Sequence, residues 1–284
     1  MNNLKITRTI QKDEYQKILF ERPISRLQSK NIGILAGKHA PIKVISDIFQ
    51  TISTLNQNSV LVTEQGKNDI ALPAQYTLLP NVQKSTALFS NSDGAIELLG
   101  DCSYVIAGVE AELDVSMQLF IEKLIGSRPF PMIFNDQIMS VAKVDHQLLL
   151  GRQDDIYVCK MPAMLKLAKV LGISIPSTQN MGVLSKLEII KNIAVSLQAN
   201  IVVVDTLQIL AVNYQNADRG FIANIDNSRK INLSAYLTAL LACFMCNSKG
   251  QADDFILRVA TSVHLLKECL KGEGNFTKNL KMQL

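Results

Sequence analysis

Residues 229–246 read RKINLSAYLTALLACFMC. After Lys230 no charged residue appears until Lys249. Leu233, Tyr236, Leu237, Leu240, Leu241 and Phe244 recur at helical spacing, and Ala235, Ala239, Ala242 and Cys243 fill the other faces. A helix that is apolar all round must be enclosed by other elements, so this stretch predicts a central buried helix. Asn232, Ser234, Tyr236 and Thr238 interrupt the run, which falls short of the roughly 20 apolar residues of a membrane span. The helix begins at Asn232-Leu233-Ser234-Ala235, with no glycine and no carboxylate. That start bears on function, because a helix N-terminus holds anions where its backbone N–H groups can approach a phosphate.

Outward from this helix, short apolar runs alternate with amphipathic patterns. Residues 32–36 (IGILA), 60–62, 76–79, 104–107, 131–134, 156–159 and 201–204 predict strands. Helices are predicted after Pro41 (Ile42, Ile45, Ile48, Phe49, Ile52 and Leu55 form the stripe), over 95–99, about 112–125, 162–171 and 185–197. Ser185 and Glu188 have the spacing of a capping box at the start of the last of these. Residues 208–212 and 220–225 predict paired strands about a polar turn, and residues 253–271 a last helix stopped by Gly272. Such alternation predicts an α/β fold with a mostly parallel, doubly wound sheet and antiparallel strands at one edge. Residues 1–30 are expected to form a polar helical arm, 31–272 a single α/β domain, and 273–284 a loose polar tail.

Composition agrees. The 284 residues are 48% hydrophobic but only 6% aromatic, without Trp, which suits aliphatic parallel strands covered by helices. The net charge is +4, and residues 1–30 carry all of it: seven Lys and Arg against Asp13, Glu14 and Glu21. A neutral main body speaks against a nucleic-acid partner. Five cysteines in mostly apolar settings, with no secretory leader in MNNLKITRTIQKDE, predict reduced core thiols and a cytoplasmic protein without a membrane segment.

The order of elements from about Glu14 to Leu270 resembles the ribokinase-like NAD(P)H-hydrate dehydratases, a carbohydrate-kinase-related family. The first strand, IGILAG, with its Ala36-Gly37 turn, stands where that family has a Gly-Gly turn. Ala107-Gly108-Val109-Glu110-Ala111 stands at its Gly-Pro-Gly-Leu-Gly, and Asn135-Asp136-Gln137 at its Asp-Ala-Asp. Lys160-Met161-Pro162-Ala163-Met164 replaces its Pro-His-Pro-Gly-Glu, and Asp205-Thr206 occupies its Lys-Gly turn. Asn232-Leu233-Ser234-Ala235 takes the place of its Gly-Thr-Gly-Asp. The resemblance implies a ribokinase-like fold, ATP or ADP with Mg²⁺, an NAD(P)H-like ligand, and a homo-oligomer. It also implies what is missing. Family chemistry needs glycine at the phosphates and a carboxylate base, and Ala235 cannot accept a proton.

The expected protein is therefore a nucleotide-binding or interaction protein, a pseudoenzyme of this family. The alternative is an active dehydratase (a lyase) or small-molecule kinase with a relocated base, for which Asp136 is the candidate. The candidate ligand contacts are Gly37, Lys38, Gly108, Asp205, Asn232 and Ser234, and no metal ligands are assigned. Gly37-Lys38-His39 follows the first strand but is not a P-loop sequence. Cys243-x-x-Cys246 lies inside the buried helix and is expected to be core.

Overall fold

A computed structural model describes residues 5–24, 30–37, 40–63, 92–109, 115–136, 154–176, 181–228, 231–247 and 252–284. Its strands are β1 (Lys5–Thr7), β2 (Asn31–Ala36), β3 (Asn58–Thr63), β4 (Cys102–Val109), β5 (Met132–Asn135), β6 (Ile156–Lys160), β7 (Asn200–Val204), β8 (Gln208–Val212) and β9 (Arg219–Asn224). Its helices are α1 (Lys12–Phe20), α2 (Ile42–Thr54), α3 (Ser92–Leu99), α4 (Val115–Ser127), α5 (Met161–Val170), α6 (Val183–Leu197), α7 (Leu233–Met245), α8 (Ala252–Lys271) and α9 (Phe276–Gln283).

The described strands form one sheet in the order β1-β9-β8-β7-β6-β5-β4-β2-β3. Every pairing is parallel except β7 with β8 and β8 with β9, so β8 alone runs against the rest. Strand residues alternate between two cores, as the two-residue period requires. Ile32, Ile34, Tyr104 and Ile106 face one core with α1, α2, α7, α8 and α9. Leu35, Val105, Ala107 and Tyr157 face the other with α3, α4, α5 and α6. All residues of α7 except Ser234 are buried, as its sequence requires. All five cysteines are buried, and none is in a disulfide.

The cores set two tight points. At Gly33 an added Cβ would lie 2.6 Å from Leu99 Cδ2 and 2.9 Å from Val105 Cγ2, so α3 sits directly on β2. Arg128, just after α4, is paired with Asp155, just before β6, at 2.6 and 2.5 Å. Asp155 is fully buried and also accepts the Met132 N–H at 2.9 Å, which anchors the start of β5.

Three local expectations are corrected. Residues 1–30 do not form a helical arm throughout. Lys5–Thr7 is a strand that closes the sheet beside β9, and Ile18 and Leu19 of α1 are buried in the main core. Tyr15 packs on the His264 ring at 4.5 Å, which ties α1 to α8. Residues 273–284 are not a loose tail. They contain α9, whose Phe276 and Leu280 are buried, with Phe276 3.9 Å from the Tyr236 ring. The Ser185–Glu188 capping box is absent, because α6 starts earlier, with Gly182 as its N-cap. The expected strand at 76–79 and His39 lie outside the described residues. Among the described residues no helix is long and apolar enough to cross a membrane.

Candidate functional site

The parallel strands β2, β4, β5, β6 and β7 end on the same side of the sheet. Ligands of open α/β sheets bind outside the carboxyl ends of such strands. Here those ends enclose a cleft of about 580 Å³, within the range of small-molecule sites. Val109 of β4, Asn135 at the end of β5, Lys160 of β6 and Val204 of β7 line it. Val44 and Ile48 of α2 form an apolar wall, and the first turn of α7 closes one end.

The strand ends are tied together by hydrogen bonds. Gly108 sits at φ +86°, a conformation that side-chain-bearing residues rarely adopt, where the β2–β4 register slips. Its carbonyl accepts the Asn135 side-chain amide. The Gly37 N–H donates to the Val109 carbonyl at 3.2 Å. Gly37 and Gly108 thus brace the cleft rim and are not among its lining residues.

Asp136 follows β5. Its Oδ1 accepts the Lys160 N–H at 2.5 Å, where β6 passes into α5. Its Oδ2 lies 4.0 Å from Lys160 Nζ. Burial pushes the Asp136 carboxyl above the usual carboxylate range, opposed in part by the Lys160 N–H, the Lys160 ammonium and the Cys159 thiol. Burial, and after it the Asp136 carboxylate, push the Cys159 thiol well up. A carboxyl of raised pKa beside an ammonium in a cleft is a recognisable acid–base arrangement.

Asp205 begins the turn between β7 and β8. Its N–H donates to the Gln208 carbonyl at 2.8 Å. One carboxylate oxygen accepts the Thr206 N–H at 2.8 Å, and the other accepts Lys186 Nζ at 2.6 Å. Burial alone would raise its pKa, but the Lys186 ammonium and the Thr206 N–H outweigh that and bring it below the usual range. Two carboxylates of one cleft are therefore pushed in opposite directions.

The start of α7 is already occupied by its own residues. Asn232 Oδ1 accepts the Ala235 N–H at 3.1 Å. The Leu233 N–H donates to the Ile231 carbonyl at 3.0 Å. Asn227 clamps Ile231 through both backbone groups, each at 3.0 Å. One turn inside, Thr238 also lines the cleft.

Of the residues singled out from sequence, Asp136, Asp205, Asn232 and Ser234 converge on this cleft. Lys38 lies outside the described residues. Sequence reasoning did not single out Lys160, Thr206, Asn227 or Thr238 as ligand contacts. Lys160 had a signal, as the lone charge ending the apolar strand IYVCK, and Thr238 had one as a hydroxyl in an otherwise apolar helix.

No protein-family model and no curated protein matches the chain. Solved structures do match. A ribokinase-like superfamily protein from Enterococcus faecalis superposes with a TM-score of 0.74 at 12% identity, covering 97% of this chain and 93% of that one. A hypothetical protein from Streptococcus mutans gives 0.68 at 12%, covering 97% and 96%. The ADP/ATP-dependent NAD(P)H-hydrate dehydratase from Bacillus subtilis, co-crystallised with ATP and Mg²⁺ and soaked with CoA, gives 0.64 at 14%, covering 94% and 95%. The fold is ribokinase-like over nearly the whole chain.

Proposed function

We propose that this protein binds a nucleotide or dinucleotide in the cleft and does not carry out the dehydration of hydrated NAD(P)H. The start of α7 carries this reading. Where the dehydratases named above have glycines and an aspartate, this chain has Asn232, Leu233, Ser234 and Ala235, and the Asn232 side chain and the Ile231 carbonyl already take two of the first N–H groups. Ala235 supplies no base. Loss of a general base commonly removes about 10²–10⁴-fold of a rate. The binding half of the reading rests on the retained architecture, a cleft of ligand size and its polar rim of Asn135, Lys160, Thr206 and Asn227. A Mg²⁺ ion carried by a nucleotide would meet Asp136 and Asp205, the carboxylates among the described lining residues.

Calorimetric titration with ATP, ADP, NADH and NADPH tests the binding half, and an assay on hydrated NADH tests the other. The expected result is saturable binding of at least one nucleotide with no dehydration. Absence of binding by all four overturns the nucleotide assignment. A second reading, an active enzyme with Asp136 as base, is favoured by the raised pKa of that carboxyl beside Lys160. Turnover that Asp136→Ala abolishes would establish it.

A further inference from the structure

We propose that the end of the cleft at α7 receives an uncharged, hydroxyl-bearing group of the ligand, such as the sugar of a nucleoside, and that no phosphate is seated there. This inference rests on the cleft being the ligand site and names what part of the ligand reaches its α7 end.

The hydrogen-bonding groups there decide the matter. A phosphate offers only acceptors and a negative charge, so it favours cationic and backbone N–H donors over neutral hydroxyls. The Leu233 and Ala235 N–H groups are already satisfied within the chain. Lys186 is committed to Asp205 at 2.6 Å. Lys160 is the one cation among the described lining residues, and its side chain is 69% exposed. Asp136 lies 4.0 Å from the Lys160 ammonium and Asp205 is paired with Lys186, so these groups leave no net positive charge to hold an anion.

What remains available is neutral. The Ser234 and Thr238 side chains lie one helical turn apart on the same face of α7, and both line the cleft. Neither hydroxyl has a partner among the described residues, although Thr238 is only 3% exposed. Hydroxyls at a cleft wall that make no bond within the protein are left to a ligand or to water. A hydroxyl both donates and accepts, as do the hydroxyls of a sugar. The Asp136 carboxylate lines the same cleft and accepts a further hydroxyl proton.

The test is a calorimetric comparison of adenosine, AMP and ADP on the wild type, Thr238→Val and Ser234→Ala. Thr238→Val keeps the shape and removes the hydroxyl, and Ser234→Ala is the second variant should the first fold poorly. Adenosine is expected to bind the wild type at least as tightly as ADP, and either variant is expected to weaken adenosine about tenfold. Tenfold tighter binding of ADP than of adenosine, with neither variant affecting adenosine, overturns this inference while leaving the nucleotide reading intact. Failure of all three ligands to bind overturns this inference, and failure of ATP, NADH and NADPH as well overturns the nucleotide reading. A third variant, Asn232→Gly, frees the Ala235 N–H and is expected to shift preference toward ADP. An unchanged preference in that variant counts against the inference.

Discussion

Replacing Asp155 by Ala tests whether the cleft depends on an anchor at the opposite end of its strands. The Arg128 guanidinium would lose both of its bonds to the carboxylate, at 2.6 and 2.5 Å, and would stay inside the protein, where Arg128 is 3% exposed. The Met132 N–H would lose its acceptor as well. Removing one partner of a buried ion pair typically costs about 3–5 kcal/mol, because the other charge is left uncompensated. That is a large part of the roughly 5–15 kcal/mol by which domains are stable. A loss of about 4 kcal/mol corresponds to roughly 10 °C in melting temperature for a chain somewhat larger than 250 residues. Urea unfolding with an unchanged m-value is the assay of choice. The double variant Arg128→Met/Asp155→Leu removes both charges and leaves the Met132 N–H unsatisfied, so it is expected to lose about 1–3 kcal/mol. An Asp155→Ala loss under about 1 kcal/mol, or a double variant no better than the single one, would refute this account of the pair.

Other perturbations follow from the same structure. Gly33→Ala places a methyl against Leu99 and Val105 and is expected to cost about 1–3 kcal/mol in chemical denaturation. Phe276→Ala removes a buried ring packed on Tyr236 and should cost about 3 kcal/mol, whereas a loose tail would show no change. The two cleft carboxylates should titrate with opposite signs. Asp205, lowered by Lys186, contributes stability that is present above about pH 4 and is lost as pH falls through its folded pKa; Lys186→Met should remove that loss. Asp136, raised by burial, contributes stability that is complete below about pH 4 and is lost as pH rises through its folded pKa. Asp136→Asn keeps an acceptor for the Lys160 N–H and should flatten that part of the curve, as measured by urea unfolding across pH.

Much of the fold was legible because burial leaves a strong mark in sequence. The charge-free 231–248 run can exist in this protein only where other elements cover it, and α7 is covered on all sides. The parallel strands, buried on both faces, read as unbroken apolar runs such as IGILA and IVVV. The edge was harder to read. β1 is three residues, Lys5-Ile6-Thr7, in a basic segment, and its pairing with β9 spans more than two hundred residues of sequence. α9 is polar overall, and only the Phe276–Leu280 spacing marks its buried side. The capping box failed because Ser185 and Glu188 match a local pattern, while packing of α6 begins the helix at Val183.

The candidate site was legible where a polar residue ends an apolar strand, since strand direction alone brings such residues to one cleft. That logic located Asp136 and Asp205. It did not show that Lys186, one helix earlier in sequence, pairs with Asp205, because the pairing depends on how α6 packs beside the β7–β8 turn. Nor did it show that Asn232 bonds the Ala235 N–H: a capping residue at that position is readable, but which group fills the helix terminus is a matter of geometry.

The most direct test is the conversion of hydrated NADH to NADH in the presence of ATP or ADP and Mg²⁺, with protein in excess so that a single turnover is visible. The account predicts no conversion above a protein-free control, because the start of α7 offers no carboxylate at Ala235 and the Leu233 and Ala235 N–H groups are occupied. Conversion dependent on protein and nucleotide, and lost in Asp136→Ala, would contradict it.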